Sequence, residues 1–219
     1  MKYYLLICAL LATCSMSFAQ DDGTSTMSVL VDGKEYNTEP RRIRIGTYGY
    51  ITGNTVGPDK SLRIWMAGLH GEEIKEPGTY LIIDAYENVP DKQVEDWIIS
   101  GKYKGIATIK YVEETKSPRM EYHVGMSGNK GETMEVKMGD DGFTEFTFNA
   151  ALNGSWWKEK TLTTAFGGVD RLVSKMEDKA VTEATGFEQD IDPEGNGYKK
   201  QKTLDSIVLT DGKVRMRLK

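Results

Sequence analysis

Strand-length apolar runs, each closed by a turn signal, recur from Met27 to the C-terminus, and this punctuation constrains the fold more than any motif does. The runs read as strands at Ile43 to Tyr50, Leu62 to Leu69, Thr79 to Asp84, Gly105 to Val112, Arg119 to Met126, Thr133 to Met138, Phe143 to Leu152 and Thr161 to Phe166. Between them stand Gly57-Pro58-Asp59, Pro77-Gly78, Ser117-Pro118, Gly128-Asn129 and Gly139-Asp140-Asp141-Gly142, residue types that break regular structure for distinct backbone reasons. Glycine (23) far exceeds proline (6), as suits a turn-rich β protein, and the apolar content is too high for disorder. Strand–helix alternation of the kind that builds a parallel sheet is not evident. The expectation is an all-β protein: an antiparallel β-sandwich or flattened barrel of about ten strands with one short helix.

The two ends carry the sharpest local signals. Met27 to Val31 meets Asp32-Gly33, which favours a two-residue hairpin turn because both positions accept positive φ, and Lys34 to Asn37 returns. At the other end, Val214, Met216 and Leu218 alternate with Lys213, Arg215, Arg217 and Lys219, the period of a half-buried strand. Asp211-Gly212 separates it from Ile207 to Thr210, so a C-terminal hairpin is predicted. Val169, Leu172, Val173 and Met176 have helical spacing after Gly167-Gly168 and predict the short amphipathic helix. Val94, Trp97 and Ile98 fit a second, shorter helix or a loop equally well.

Residues 1–19 combine a cationic start at Lys2, an apolar run from Tyr3 to Ala12 and a small-x-small site at Ser17-Phe18-Ala19, the pattern of a secretory signal peptide. The run is shorter than the roughly 20 residues of a membrane-spanning helix, so the mature chain is expected to lack a transmembrane segment. Leu11-Ala12-Thr13-Cys14 approximates a lipobox, which leaves two outcomes: cleavage before Gln20, or lipidation of Cys14 and a lipid anchor. The organisation read is a signal peptide at 1–19, a flexible leader at 20–26 and a single β-rich domain at 27–219. Localisation is expected to be exported: periplasmic, outer-membrane-associated or secreted. Both cysteines, Cys8 and Cys14, fall in the leader, so a mature chain starting at Gln20 has neither disulfides nor thiol chemistry. Loss of Lys2 takes the formal net charge from −5 to about −6, which argues against a nucleic-acid partner.

Val31-Asp32-Gly33-Lys34, Glu76-Pro77-Gly78-Thr79-Tyr80, Gly105 to Tyr111, Phe143 to Phe148 and Thr210 to Val214 occur in an order that resembles a family of uncharacterised secreted or lipid-anchored β-rich proteins of Bacteroidetes. Phe18-Ala19-Gln20 resembles leader ends from the same phylum. The family pattern has an aromatic residue after its last Asp-Gly-Lys, where this chain has Val214, and many members have a clean lipobox. The resemblance implies export and a β fold, and brings no activity, cofactor or catalytic residue.

Chemistry-bearing motifs are few. His70 and His123 are the two histidines, and they lie at no local zinc-ligand spacing, even with Glu72 or Glu73 added. Asp190, Asp192, Glu194 and Asn196 place oxygen at alternate positions around Gly195, like half of an EF-hand loop, and make calcium the one candidate cofactor. Gln201 stands where the bidentate glutamate belongs, and a solvated acidic turn explains the segment equally simply. A nucleophile elbow and a phosphate loop are missing from the sequence. Trp156 and Trp157 are neighbours, so on a strand one faces in and one out; with Trp65 they are the candidate ligand-binding residues for a sugar ring. Arg41, Arg42 and Arg44 form a solvated strip or an anion contact. The function read is an exported, non-enzymatic binding or structural protein of the cell envelope, with a glycan or an envelope protein as partner. A carbohydrate-recognition module and an extracytoplasmic hydrolase are the alternatives.

Overall fold

The computed structural model describes residues 25–45, 48–54, 60–68, 76–83, 91–114, 119–124, 131–159 and 198–218, with β8 described by its backbone alone. Its strands are β1 (Thr26–Val31), β2 (Lys34–Thr38), β3 (Pro40–Ile45), β4 (Tyr48–Asn54), β5 (Lys60–Ala67), β6 (Gly78–Ile83), β7 (Gly105–Glu114), β8 (Arg119–Val124), β9 (Thr133–Met138), β10 (Thr144–Glu159) and β11 (Tyr198–Met216). Among the described residues one helix, α1 (Asp91–Ile99), falls between β6 and β7. The strands form one sheet in the order β2-β1-β11-β10-β9-β6-β7-β5-β4-β3, rolled into a nearly closed barrel. The expected all-β fold is what forms, as a single rolled sheet.

Alternation on each strand separates an inner from an outer face. Met27 and Val29 on β1, Leu62, Ile64 and Met66 on β5, Ala107, Ile109 and Tyr111 on β7, and Phe146, Phe148, Ala150 and Leu152 on β10 all enter one buried cluster. The barrel is therefore packed with side chains rather than hollow. Closure occurs where β2 meets β4. The Tyr36 hydroxyl donates to the Gly53 carbonyl at 2.5 Å, and the α-hydrogen of Gly53 faces Thr38 and Met27 so closely that a methyl group would collide with both.

Between β10 and β7 the sheet forks. At one end β10 pairs β9, β9 pairs β6, and β6 pairs β7; at the other, β8 alone bridges β10 to β7. The fork would strand backbone groups at Ala151, between the last β9 pair at Phe148 and the first β8 pair at Leu152. Glu132 covers it: its carboxylate accepts from Ala151 N at 3.2 Å, and its carbonyl accepts from Ile82 N at 2.9 Å.

Three sequence expectations are corrected. Ile43 to Tyr50 is not one strand: Ile45 pairs Tyr48, making β3 and β4 a hairpin. The C-terminal hairpin is absent, because β11 runs through Asp211-Gly212 and pairs β10 and β1 on both sides of it. Asp211 does take positive φ (53°), but as a bulge residue whose N–H bonds Asn149 Oδ1 at 2.9 Å. Finally, β6, α1 and β7 form a strand–helix–strand unit whose strands are parallel. Its helix, the segment the sequence left open, packs Trp97 and Ile98 with Trp65 and Tyr103 over Ala67, Leu81, Ile83 and Ile106 on the outer face. The Asp32-Gly33 turn matches expectation, with φ of 49° and 76°. The expected helix at Val169 to Met176 and the strand at Thr161 to Phe166 lie outside the described residues.

Candidate functional site

The two ends of the barrel differ in chemistry. Inward positions at one end are the buried Met66 and Met216. At the other, the inward alternation runs out into charged and polar groups: Lys60 two residues before Leu62, and Glu113 two after Tyr111. Lys60 pairs Glu113 in register, Glu113 pairs Met120, and Met120 pairs Trp156, so one row crosses β5, β7, β8 and β10.

Within this row the polar groups hold one another. Lys60 Nζ lies 3.4 Å from Glu113 Oε1, with about a third and a quarter of the two side chains exposed. The Tyr111 hydroxyl donates to Glu113 Oε2 at 3.0 Å, and the Tyr111 ring meets Tyr36 edge-on with centroids 6.0 Å apart. On the neighbouring wall, Trp156 packs against the core and donates its indole N–H to Asp205 Oδ2 at 2.7 Å. The β1–β2 turn borders the opening and is tied to β11 twice, through Asp32 N to Val208 O at 2.9 Å and Val208 N to Asp32 Oδ1 at 2.8 Å.

Below that turn is a depression of about 240 Å³, lined by Val31, Asp32, Lys34, Glu35, Tyr36, Lys60, Tyr111, Glu113 and Ile207. Its lining mixes apolar and aromatic side chains with carboxylates and ammonium groups. Such a mixture in a concave site is what fixes the orientation of a small polar ligand.

The three tryptophans do not share a platform. Trp156 is directed toward the core, and its neighbour Trp157 follows on the opposite face of β10, with Lys200 Nζ 5.9 Å from its ring. Trp65 is on the outer face beneath α1, paired with Thr108, six residues along β7 from Glu114, which shares an Arg119 pairing with Trp157. That offset is about 20 Å along the strand, too far for one sugar ring. Arg41 is exposed and Arg42 half-buried on β3, at one end of the sheet order. His123 falls on β8, and His70, Asp190, Asp192, Glu194, Asn196 and Cys14 lie outside the described residues. Among the described residues, no three His, Cys, Asp or Glu side chains gather to hold a metal ion, and no helix is long and apolar enough to cross a membrane.

Sequence reasoning passed over Tyr36, Lys60, Tyr111, Glu113 and Asp205. The signal was present as a strand whose apolar alternation ends in a charge on the same face, as in Ile109-Lys110-Tyr111-Val112-Glu113. No known protein family, curated protein or solved structure matches the chain.

Proposed function

We propose that this protein is an exported, non-enzymatic binding protein of the cell envelope, and that it holds a small ligand at the charged mouth of its barrel. One observation carries the binding half: Lys60, Glu113 and Asp205 occupy inward positions at one end of a barrel whose interior holds a large buried apolar cluster. Partly buried ion pairs contribute little to stability compared with well-packed apolar residues, so folding alone gives no reason for them. The leader supports the export half, as does the resemblance to exported Bacteroidetes proteins.

The test is to express the full chain in a Bacteroidetes host, fractionate the cells and measure the mass of the N-terminus. A chain starting at Gln20, or an acylated Cys14, in the envelope or medium is the expected result. A cytoplasmic chain with its leader intact would overturn the reading.

A further inference from the structure

We propose that the barrel mouth recognises an uncharged sugar ring, through a vicinal pair of hydroxyls seated on Lys60 and Glu113. The inference rests on the reading of that mouth as the binding site and names the ligand class for it.

Charge comes first. The lining places Lys34 and Lys60 against Asp32, Glu35 and Glu113, so cations and acids nearly cancel. Much of that charge is already engaged: Glu113 by Lys60 and Tyr111, and Asp32 by Val208 N. An inorganic anion entering here would meet carboxylates, and a metal cation would meet ammonium groups, each at a repulsive cost that grows as the site is desolvated. A ligand without net charge meets neither.

Lys60 Nζ and Glu113 Oε1, 3.4 Å apart, present a donor and an acceptor side by side. Each hydroxyl of a vicinal diol donates one hydrogen bond and accepts others, so two adjacent hydroxyls can satisfy both partners at once. Bonds to charged partners are the stronger kind, and the pair's own contact holds it in place before the ligand arrives. Val31 and Ile207 supply apolar contact for the C–H face of the ring. The depression, at about 240 Å³, is smaller than the range of drug-sized pockets and suits a single ring rather than a chain of them.

The test is a titration of the purified mature chain, followed through backbone amide chemical shifts. The probes are methyl pyranosides of neutral hexoses, glycine as a zwitterion, and inorganic phosphate. A pyranoside should shift the amides of Lys34 and Glu113 with a Kd of about 1 mM. Glu113→Gln keeps an acceptor for Tyr111 but loses the charge, and Lys34→Met changes only the exposed rim; each should weaken binding, Glu113→Gln by about tenfold or more. Shifts produced by glycine or phosphate and not by any pyranoside would overturn the sugar while leaving the mouth as the site. Pyranoside shifts indifferent to both substitutions would place the ligand elsewhere and overturn the proposal. Silence from all three probes would sink both the ligand class and the reading of the mouth beneath it.

Discussion

The carboxylate of Glu132 accepts the Ala151 N–H at 3.2 Å at the point where the sheet divides. A fork in a β-sheet leaves donors that neither branch can reach, and an unmet backbone group costs about as much as a lost hydrogen bond. One half-buried glutamate, placed just before β9, ties β10 to β6 at the fork through its side chain and its carbonyl.

Glu132→Ala should therefore destabilise the protein by about 1–3 kcal/mol, the cost of leaving a donor unsatisfied. Glu132→Gln keeps an acceptor at the same position and should recover most of that loss. Urea denaturation with an unchanged m-value measures both. Equal losses for Ala and Gln would show that the carboxylate charge, rather than the hydrogen bond, holds the fork.

Gly53 closes the barrel by having no side chain. A methyl group there would collide with Thr38 Cγ2 and Met27 Sδ. Gly53→Ala should cost about 1–3 kcal/mol through overpacking. Adding Thr38→Ser removes the nearer methyl and should return part of it, a coupling that a double-mutant cycle reads directly.

The sequence carries enough period-two patterning and turn chemistry to make the β fold and the first hairpin readable. Their signals are local: Asp32-Gly33 sets positive φ, and alternation sets one apolar face. What depended on distant partners was misread or missed. Asp211-Gly212 has the composition of a hairpin turn, yet β10 and β1 flank it on both sides and convert it to a bulge. The segment of Val94, Trp97 and Ile98 resolves into a helix because the outer faces of β6 and β7 offer Trp97 and Ile98 the side chains of Leu81, Ile83 and Ile106. Lys60 and Glu113 lie 53 positions apart, and only strand register makes them neighbours. Trp156 and Trp157 were legible as opposite-facing residues, but the distance of Trp65 from them was not.

Trp156 and Asp205 form the second polar pair on the inner face, 2.7 Å apart. Trp156→Phe removes the donor and leaves a partly buried carboxylate, and Asp205→Ala removes the acceptor. Each should cost about 1–3 kcal/mol, and their coupling in a double-mutant cycle should reach about 1 kcal/mol because one partner is charged. Asp205→Asn should be milder than Asp205→Ala, since its amide oxygen still accepts. Losses that simply add would show that the pair packs without interacting.

Among the described residues, two groups contribute in opposite senses to the pH dependence of stability. The Phe143 N–H, 3.0 Å from Asp141 Oδ1, and then Arg215 hold the Asp141 carboxyl below its usual value of 3.8. A depressed folded-state pKa means that the ionised form is favoured by folding; this contribution is complete above about pH 4 and disappears as pH falls through the lowered value. Because Asp141 is exposed, the effect is small and screened by salt. Tyr80 behaves in the reverse sense. Burial, and then the charge of Glu76, raise its hydroxyl above the ordinary 10.0, so folding favours the neutral phenol that donates to the Glu76 carbonyl at 2.8 Å. That stability is whole below pH 10 and is lost as pH climbs beyond it. Asp141→Asn should soften the acid limb slightly and leave the alkaline one, and Tyr80→Phe should soften the alkaline limb and leave the acid one, at a cost near neutrality of about 1 kcal/mol for the missing hydrogen bond. Thermal melts from pH 3 to 11 separate the two, and an acid limb unmoved by Asp141→Asn would assign it to other carboxylates.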